Sequence, residues 1–240
     1  MVVKSAYLSD LGLIRENNED FLLADDESKI YLLADGIGGH NAGEVASELA
    51  VKTVYAYLTK RLSSLRGKKI CNIILDAIKA AHEAVNQKAK TDLKLMGMGS
   101  TLVTLVIRGH KAYTCHIGDS RIYHYHNVLK CMTCDHTMEN RIRESNMYFH
   151  KTVSENQRHI LTQAVGFGNQ PMPDFRQIDI SSGDLLLLCS DGLTDMLMDE
   201  EIGAIIKNGN LNIDSITQNL IASANTQGGL DNISVLLIKT

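Results

Sequence analysis

Five aspartates stand beside apolar, strand-like segments of this 240-residue sequence, where their carboxylates could bind metal ions. Asp35 ends the run YLLAD and Asp191 ends LLLLCSD, and a glycine follows each of them. Asp231 leads into ISVLLI, Asp20 precedes FLLA, and Asp119 lies between two strand-like segments. A carboxylate at the edge of an apolar core is costly to desolvate, and several carboxylates together repel one another. Divalent cations would offset both costs, and hard oxygen ligands select Mg²⁺ or Mn²⁺.

A turn is the simpler explanation for any one of these aspartates, because Asp-Gly is the commonest turn dipeptide. A glycine next to the aspartate would nevertheless have a specific use in a metal site. Without a side chain, Gly36 lets the backbone approach a cation closely, so its carbonyl can serve as a further ligand. The interpretation as a metal centre therefore depends on the five aspartates converging in the fold.

The hydrophobic pattern predicts ten strands and four helices. Consecutive strands joined by short turns imply antiparallel pairing, and strands do not alternate with helices as a doubly wound parallel sheet requires. We therefore predict an α+β fold, a four-layer α-β-β-α sandwich with two central antiparallel sheets flanked by pairs of antiparallel helices. The predicted strands are 2–7, 21–24, 30–34, 101–107, 112–117, 121–126, 160–165, 175–180, 185–190 and 233–238, and the helices lie near 45–62, 70–85, 199–207 and 213–225.

Composition indicates an ordinary globular domain, with 44% hydrophobic and 22% charged residues. Two prolines and no low-complexity linker favour a single domain over residues 1–240. A net charge of −4 excludes nucleic acid and anionic membranes as main partners. The start of the chain lacks the apolar stretch of a signal peptide, and no apolar run is long enough to span a bilayer. Five cysteines without a dense framework indicate a reducing compartment, so we expect a cytoplasmic monomer.

Six motifs occur in order along the chain, and together they resemble the metal-dependent protein serine/threonine phosphatases, the protein phosphatase 2C family, in their bacterial form. They are RENNED (15–20), DGIGGHNAGEVAS (35–47), GSTLV (99–103), GDSR (118–121), SDGL (190–193) and DNISV (231–235). Each motif alone is a weak signal, whereas six in order over nearly the whole chain form a strong one. The resemblance implies a sandwich of two central sheets and hydrolysis of phosphoserine and phosphothreonine in proteins, opposing a serine/threonine kinase.

The resemblance also implies the metal ligands. Asp35 would bridge two Mn²⁺ or Mg²⁺ ions, and the carbonyl of Gly36 would bind one of them. Asp191 and Asp231 would be the remaining direct ligands, and Asp119 would bind a third, weaker ion. Water that bridges two such ions loses a proton far more easily than bulk water, so the resulting hydroxide would attack phosphorus in line with the departing oxygen.

Further residues take roles in the substrate complex by the same resemblance. Arg15 would grip the substrate phosphate, for which its planar guanidinium offers bidentate donors. Asp20, and with it Glu19, would hold metal-bound waters. Asn232 adjoins Asp231 and would support that ligand by hydrogen bonding.

The chain departs from the family pattern at two places. Eukaryotic members often carry a histidine directly after the Asp-Gly pair, where this chain has Ile37. His40 is a candidate general acid, but it could instead cap the helix that starts near Asn41, and a metal-bound water is an alternative proton donor. The second departure is the polar segment 137–158, which corresponds to a flap beside the active site and is shorter or altered here.

Other interpretations have less support. Cys131 and Cys134, with His136 close behind, resemble half of a zinc site, but the sequence offers no second pair at the spacing of zinc ligands. GIGG lacks the lysine of a P-loop, so nucleotide binding is a poor explanation. A catalytically silent scaffold of the same fold would have lost acidic positions that this chain keeps. A phosphatase for small phosphoesters remains the alternative enzyme.

Overall fold

The structure is a computed structural model that describes residues 2–38, 42–63, 69–144, 159–210 and 212–240. The strands within these ranges are β1 (Lys4–Asp10), β2 (Asp20–Asp25), β3 (Ile30–Ile37), β4 (Gly99–Ser100), β5 (Leu102–Arg108), β6 (Lys111–Ile117), β7 (Arg121–His126), β8 (Val128–Cys131), β9 (Asp174–Asp179), β10 (Leu185–Cys189) and β11 (Ile233–Lys239). The α-helices are α1 (Ala42–Leu62), α2 (Ile70–Ala89), α3 (Met138–Glu144), α4 (Asp191–Thr194), α5 (Asp199–Asn208) and α6 (Ile213–Thr226).

The strands form two antiparallel sheets. The first sheet has the order β1-β11-β10-β7-β8, and the second has the order β2-β3-β5-β6-β9, with β4 paired to β3. The first strand of the chain therefore pairs with the last one, from Lys4 opposite Lys239 to Asp10 opposite Ile233. The run LLLLC of β10 is buried at every position because this strand lies inside a sheet that is covered on both faces.

Alternate residues along each strand pack in different layers of the sandwich. In β3, Leu32 packs against α1 and α2, whereas Leu33 faces the other sheet. In β11, Leu237 packs against the helices on the first sheet, whereas Leu236 points inward. Successive side chains of a strand point to opposite faces, so each sheet contributes one row to the central core and one to a helix-covered core. The predicted four-layer α-β-β-α sandwich is confirmed.

One predicted strand is wrong. Residues 160–165 form only isolated bridges, between Leu161 and Thr137 and between Val165 and Ser100. The apolar residues there have other roles, because Val165 is buried against α1 and α2, while Ile160, Leu161 and Ala164 line a cleft. An apolar segment without a continuous partner strand makes no ladder. Among the strands and α-helices, the structure also adds four elements that the pattern did not predict, β4, β8, α3 and α4.

The predicted flap-like segment 137–158 is described only in part. Residues 138–144 form α3, and residues 145–158 lie outside the described ranges. Among the described helices, none combines the length and the apolar character that a bilayer-spanning segment requires.

The central core sets the first testable expectation. Leu33→Ala removes a fully buried side chain between the two sheets, and we expect it to lower the free energy of unfolding by about 2–5 kcal/mol. Leu93→Ala is the matched control, because Leu93 is 83% exposed and should change stability by less than about 0.5 kcal/mol. Urea denaturation followed by circular dichroism measures both. Equal effects of the two substitutions would contradict the assignment of Leu33 to the core.

Candidate metal centre

The acidic residues lie where the central layer between the sheets reaches its open end. Asp35 is two residues beyond the inward-facing Leu33, so its side chain also points inward. Asp20 lies directly opposite Asp35 in the pairing of β2 with β3. On the first sheet, Asp191 follows the end of β10, and Asp231 precedes the start of β11. Because β10 and β11 are antiparallel neighbours, these two ends meet at the same edge of the sheet.

A cavity of about 1290 Å³ opens at this edge. Four of the predicted ligand aspartates and the predicted carbonyl ligand line it, namely Asp35, Gly36, Asp119, Asp191 and Asp231. Glu19, Asn232 and Arg15 line the same cavity. Asp20 lies beneath it, since one of its carboxylate oxygens is buried. The structure thus brings together nine of the ten residues that the sequence nominated, and His40 lies outside the described residues.

Asp35 is held at the centre of the group by its backbone. Its N–H donates to Thr101 Oγ1 at 2.9 Å, and its carbonyl accepts from Thr101 N at 2.8 Å and from Ser100 Oγ at 2.9 Å. Its carboxyl group lies close enough to Asp20, Asp119 and Asp191 for their negative charges to act on it. Burial, followed by the negative charges of Asp191 and Asp20, raises the pKa of Asp35 well above its ordinary value.

The pKa values of the neighbouring aspartates are raised as well. Burial is the largest cause in each case, and it raises the pKa of Asp20 to about 8, that of Asp119 to about 8 and that of Asp191 to about 6. The charge of Asp191 raises the pKa of Asp20 and of Asp119 further. Ser190 Oγ donates to Asp20 Oδ2 at 2.7 Å, which acts in the opposite direction. The protein alone does not compensate the charges that these carboxylates would carry at neutral pH.

Two carboxylate oxygens supply a direct test of whether a cation fits. Asp20 Oδ1 and Asp191 Oδ1 are buried and accept no hydrogen bond from the described residues. A buried acceptor without a partner costs about 1–3 kcal/mol, and native proteins rarely leave one unexplained. Cations coordinated nearby would neutralise the negative charge and give both oxygens a partner. The candidate ligand atoms are all oxygens. The residues present therefore fit Mg²⁺ or Mn²⁺.

Close backbone packing explains the glycines after Asp35. An added Cβ at Gly36 would lie 2.1 Å from the carbonyl oxygen of Gly43, so the end of β3 and the first turn of α1 are in backbone contact. An added Cβ at Gly43 would lie 2.2 Å from Glu19 Oε2. Only glycine allows these approaches. The packing also buries Glu19, whose pKa is raised for that reason.

Asn232 ties the N-terminal loop to the last strand. Its Oδ1 accepts from Glu19 N at 2.8 Å, and its Nδ2 donates to the carbonyls of Leu11 and Asn17, each at 2.9 Å. The residue is only 4% exposed. Asn232 thereby fixes the loop that carries Glu19 and Arg15 beside Asp231, a wider role than the support of one ligand that the sequence predicted.

Arg15 lies at the mouth of the cleft. Its Nη2 donates to Asp231 Oδ2 at 2.6 Å, while 54% of its side chain is exposed. Because the side chain is largely exposed, it is this ion pair, rather than burial, that sets the orientation of the remaining guanidinium N–H groups. The arginine is therefore held next to the acidic centre with donors available for an anion.

Sequence reasoning missed further polar residues, of which Asp135 and His159 line the cleft and Arg121 and Asp195 contact them. Arg121 makes a bidentate ion pair with Asp135, with Nε to Oδ1 at 3.0 Å and Nη2 to Oδ2 at 2.7 Å. Asp195 lies four residues after Asp191 and faces His159, with Nδ1 and Oδ2 separated by 3.6 Å. The spacing of four residues at the start of a helix was the available signal for Asp195. No local sequence signal identifies His159, because its position in the cleft depends on tertiary structure.

Two histidines near the Cys131–Cys134 segment are explained by hydrogen bonding. His116 Nε2 lies 2.9 Å from the carbonyl of Cys134, to which it donates, and Gly118 N donates to His136 Nδ1 at 3.3 Å. The two rings stack at 4.7 Å. Asp174 lies close enough to complete a possible ligand group. His136 also accepts from a backbone N–H and His116 faces a backbone carbonyl, so the two imidazoles hold neighbouring turns in place.

Solved structures with the same fold are serine/threonine phosphatases. The Mycobacterium tuberculosis serine/threonine phosphatase PstP/Ppp aligns with a TM-score of 0.86 and 32% identity, covering 100% of this chain and 99% of that one. The catalytic domain of PstP in complex with two manganese ions aligns with a TM-score of 0.84 and 32% identity, covering 99% and 98% of the two chains. The sandwich is thus that of a class of metal-dependent phosphatases.

Sequence comparison defines the family. A profile of the family described as Protein phosphatase 2C matches residues 15–233. Protein phosphatase PhpP from Streptococcus pneumoniae serotype 2 is 33% identical over an alignment of 241 positions, which covers 96% of this chain and 95% of PhpP. The chain belongs to the protein phosphatase 2C family and is an enzyme of the protein serine/threonine phosphatase class. The resemblance predicted from the six motifs is confirmed.

Proposed function

We propose that this chain hydrolyses phosphoserine and phosphothreonine in proteins with two divalent cations held by Asp35, Asp191, Asp231 and the carbonyl of Gly36. The observation that carries the proposal is the group of buried, mutually repelling carboxylates at the floor of an open cleft. The two manganese ions of the PstP catalytic domain support it, because that domain has the same fold. Asp119, at the wall of the same cavity, is suited to a third ion.

The divalent ions, when bound, supply Lewis acidity and lower the pKa of coordinated water. The chain contributes position and charge. Arg15 presents guanidinium N–H groups to the phosphoryl oxygens while Asp231 keeps the arginine in place. Asp20 and Glu19 lie behind the ligands and offer oxygen acceptors to ordered water. Asn232 holds the loop that carries Glu19 in register with β11. No covalent intermediate with the enzyme is required.

The remaining predictions concern the setting of the reaction. The open cleft can admit a phosphorylated side chain on a protein surface, so phosphoproteins are the proposed substrates and a serine/threonine kinase is the proposed opponent. The five cysteines, which all lie in the described ranges, form no disulfide with one another, the state that a reducing compartment maintains, which supports a cytoplasmic location. The monomeric state stays a prediction.

A metal-dependence assay tests the proposed function. Purified protein with Mn²⁺ is expected to release phosphate from a phosphothreonine peptide and from p-nitrophenyl phosphate. EDTA should remove the activity, and excess Mn²⁺ should restore it, because the ligands persist in the metal-free fold. A preference for small esters over phosphopeptides in kcat/KM would favour the alternative enzyme. Absence of turnover on both substrates with Mn²⁺ and with Mg²⁺ would overturn the proposal.

Arg15→Ala is expected to raise KM for the phosphopeptide about 10–100-fold, because hydrogen bonds to charged groups contribute about 1.5–3 kcal/mol. Steady-state kinetics at saturating Mn²⁺ measure the change. Arg61→Ala serves as the control, since Arg61 is exposed on α1 and packs over the ring of Tyr57. An unchanged KM for Arg15→Ala would contradict the phosphate-binding role.

A further inference from the structure

One wall of the cleft carries no charged side chain. Residues 160–173, ILTQAVGFGNQPMP, contain no acidic or basic residue, and most of them line the same cavity as the proposed ligand aspartates. Ile160, Phe167 and Met172 each expose a large apolar side chain on this wall. Binding clefts use an apolar lining of this kind to hold the uncharged part of a ligand, while a few polar groups fix its orientation.

Phe167 is presented to the cleft by a backbone that is fixed on both sides of the preceding residues. Val165 is fully buried and exchanges backbone hydrogen bonds with Ser100, from N to O at 2.8 Å and from O to N at 2.9 Å. Gly166 N donates to Nδ1 of the buried His82 on α2 at 3.0 Å. The side chain of Phe167 is nevertheless 61% exposed. An aromatic group held in advance by its backbone loses little conformational entropy when a ligand packs against it.

Ile37 lies beside Phe167 across a glycine. Ile37 of β3 is directly opposite Gly99 of β4, and side chains at directly opposite positions share one face of an antiparallel pair. An added Cβ at Gly99 would lie 3.2 Å from the Cβ of Phe167. Ile37, which is 39% exposed, and Phe167 therefore border the space that the glycine leaves free. These three residues are called the apolar subsite below.

The apolar subsite lies at a defined distance from the metal centre. Ile37 follows Asp35 by two residues on β3, so the two side chains point to the same face and are separated by about 6.6 Å along the strand. An extended substrate segment has the same period. A side chain two residues from the phosphorylated one would point in the same direction at the same spacing, whereas the directly adjacent side chains would point away.

We propose that Ile37, Gly99 and Phe167 bind an apolar side chain of the substrate protein, two residues from the phosphoserine or phosphothreonine. This inference rests on the proposed function and narrows its substrates to phosphoproteins with such a residue. The occupant is the substrate because the subsite belongs to the same cavity and the same strand as Asp35. Burial of an aliphatic side chain against Phe167 is favourable. A charged side chain would lose hydration there, and the wall of residues 160–173 offers it no ionic partner.

A peptide panel tests the position and the chemistry of the subsite. One phosphothreonine peptide has alanine at all flanking positions, and four others have a single leucine at −2, −1, +1 or +2 from the phosphothreonine. With saturating Mn²⁺, leucine at −2, at +2 or at both is expected to raise kcat/KM about 10-fold over the alanine peptide, which is equivalent to about 1.4 kcal/mol. Leucine at −1 and +1 should change kcat/KM less than about 2-fold.

Phe167→Ala is expected to remove this preference. KM for the favoured leucine peptide should rise about 10-fold with kcat near the wild-type value, because the apolar contact is equally strong in the ground state and the transition state. Turnover of the alanine peptide should stay unchanged. Phe167→Leu should retain most of the preference, since the side chain remains large and apolar. Tyr7→Ala is the matched control, because Tyr7 is an aromatic residue that is 57% exposed on β1 and stands apart from the residues that line the cavity.

Thermal unfolding checks that each variant is folded, and Phe167→Gln is a second variant should F167A unfold. A preference in the wild-type protein that is absent, confined to −1 and +1, or equal at all four positions would overturn the inference. Equal losses of kcat on the alanine and leucine peptides in F167A would show a structural role instead. A wild-type dimer in analytical ultracentrifugation that F167A dissociates would show that a second copy occupies the subsite. In each of these cases the proposed function stands, whereas it fails if the wild-type protein turns over none of the peptides.

Discussion

Asp35→Asn is expected to abolish turnover and yet to stabilise the metal-free protein. The carboxylate would bridge two cations, and the loss of several kcal/mol of electrostatic stabilisation lowers kcat/KM by about 10³-fold or more. Without metal, Asp35 is a buried acid among like charges, and its raised pKa marks that cost. The neutral amide carries no such charge, so we expect the free energy of unfolding at pH 8 to rise by about 1–3 kcal/mol.

Phosphopeptide kinetics with saturating Mn²⁺ and urea unfolding in EDTA measure the two effects. Asp179→Asn is the matched control, because Asp179 is an exposed aspartate on β9 opposite Lys111. This change should leave turnover and stability near the wild-type values. Turnover of D35N near that of the wild type would contradict the ligand role. A metal-free D35N protein less stable than the wild type would contradict the repulsion between carboxylates.

Stabilisation by Mn²⁺ is expected to increase with pH. The pKa values of Asp20 and Asp119 are about 8 and that of Asp191 is about 6, whereas an unfolded aspartate has a pKa of about 3.9. A raised carboxyl pKa means that the folded chain keeps protons which the unfolded chain has released. These groups therefore favour the metal-free fold most below about pH 4 and progressively less as the pH rises to about 8. Mn²⁺ binds the ionised carboxylates, so it should stabilise the fold most at about pH 8.

Thermal unfolding with and without Mn²⁺ at pH 5.5 and pH 8 measures this dependence. Free Mn²⁺ at 100 times its Kd adds about 2.7 kcal/mol, which corresponds to a rise in Tm of about 5–10 °C for a chain of this size. We expect a rise of that size at pH 8 and a clearly smaller one at pH 5.5. The D35N protein should show a reduced rise at both values. A larger effect of Mn²⁺ at pH 5.5 would be inconsistent with proton displacement.

The parts of the fold that could be predicted are those in which local pattern and tertiary environment agree. The apolar run of β10 and the alternation along β11 identify strands because both faces of each sheet are covered. Asp35, Asp191 and Asp231 could be nominated because each stands next to such a strand. Their convergence follows from strand order, and pairing between β1 and β11 is not encoded in any local pattern.

The predictions failed where the local sequence pattern and the tertiary environment disagree. The apolar residues of 160–165 belong to a wall of the cleft, with Val165 anchored in the core, and in sequence alone such a segment resembles a strand. His159 precedes that wall, and its approach to Asp195 joins segments that are 36 positions apart along the chain. No periodicity reports such a contact, so a site of this kind becomes visible only when the two segments are placed together.

The hydrogen bonds of Asn232 have a consequence for synthesis on the ribosome. This side chain, eight residues before Thr240, organises the loop from Leu11 to Glu19, and among the described strands of the first sheet β1 pairs only with β11. A nascent polypeptide that has not yet released β11 into solution cannot assemble the cleft. The enzyme would thus be inactive when its first strands emerge and would begin to remove phosphate only after β11 has left the ribosome.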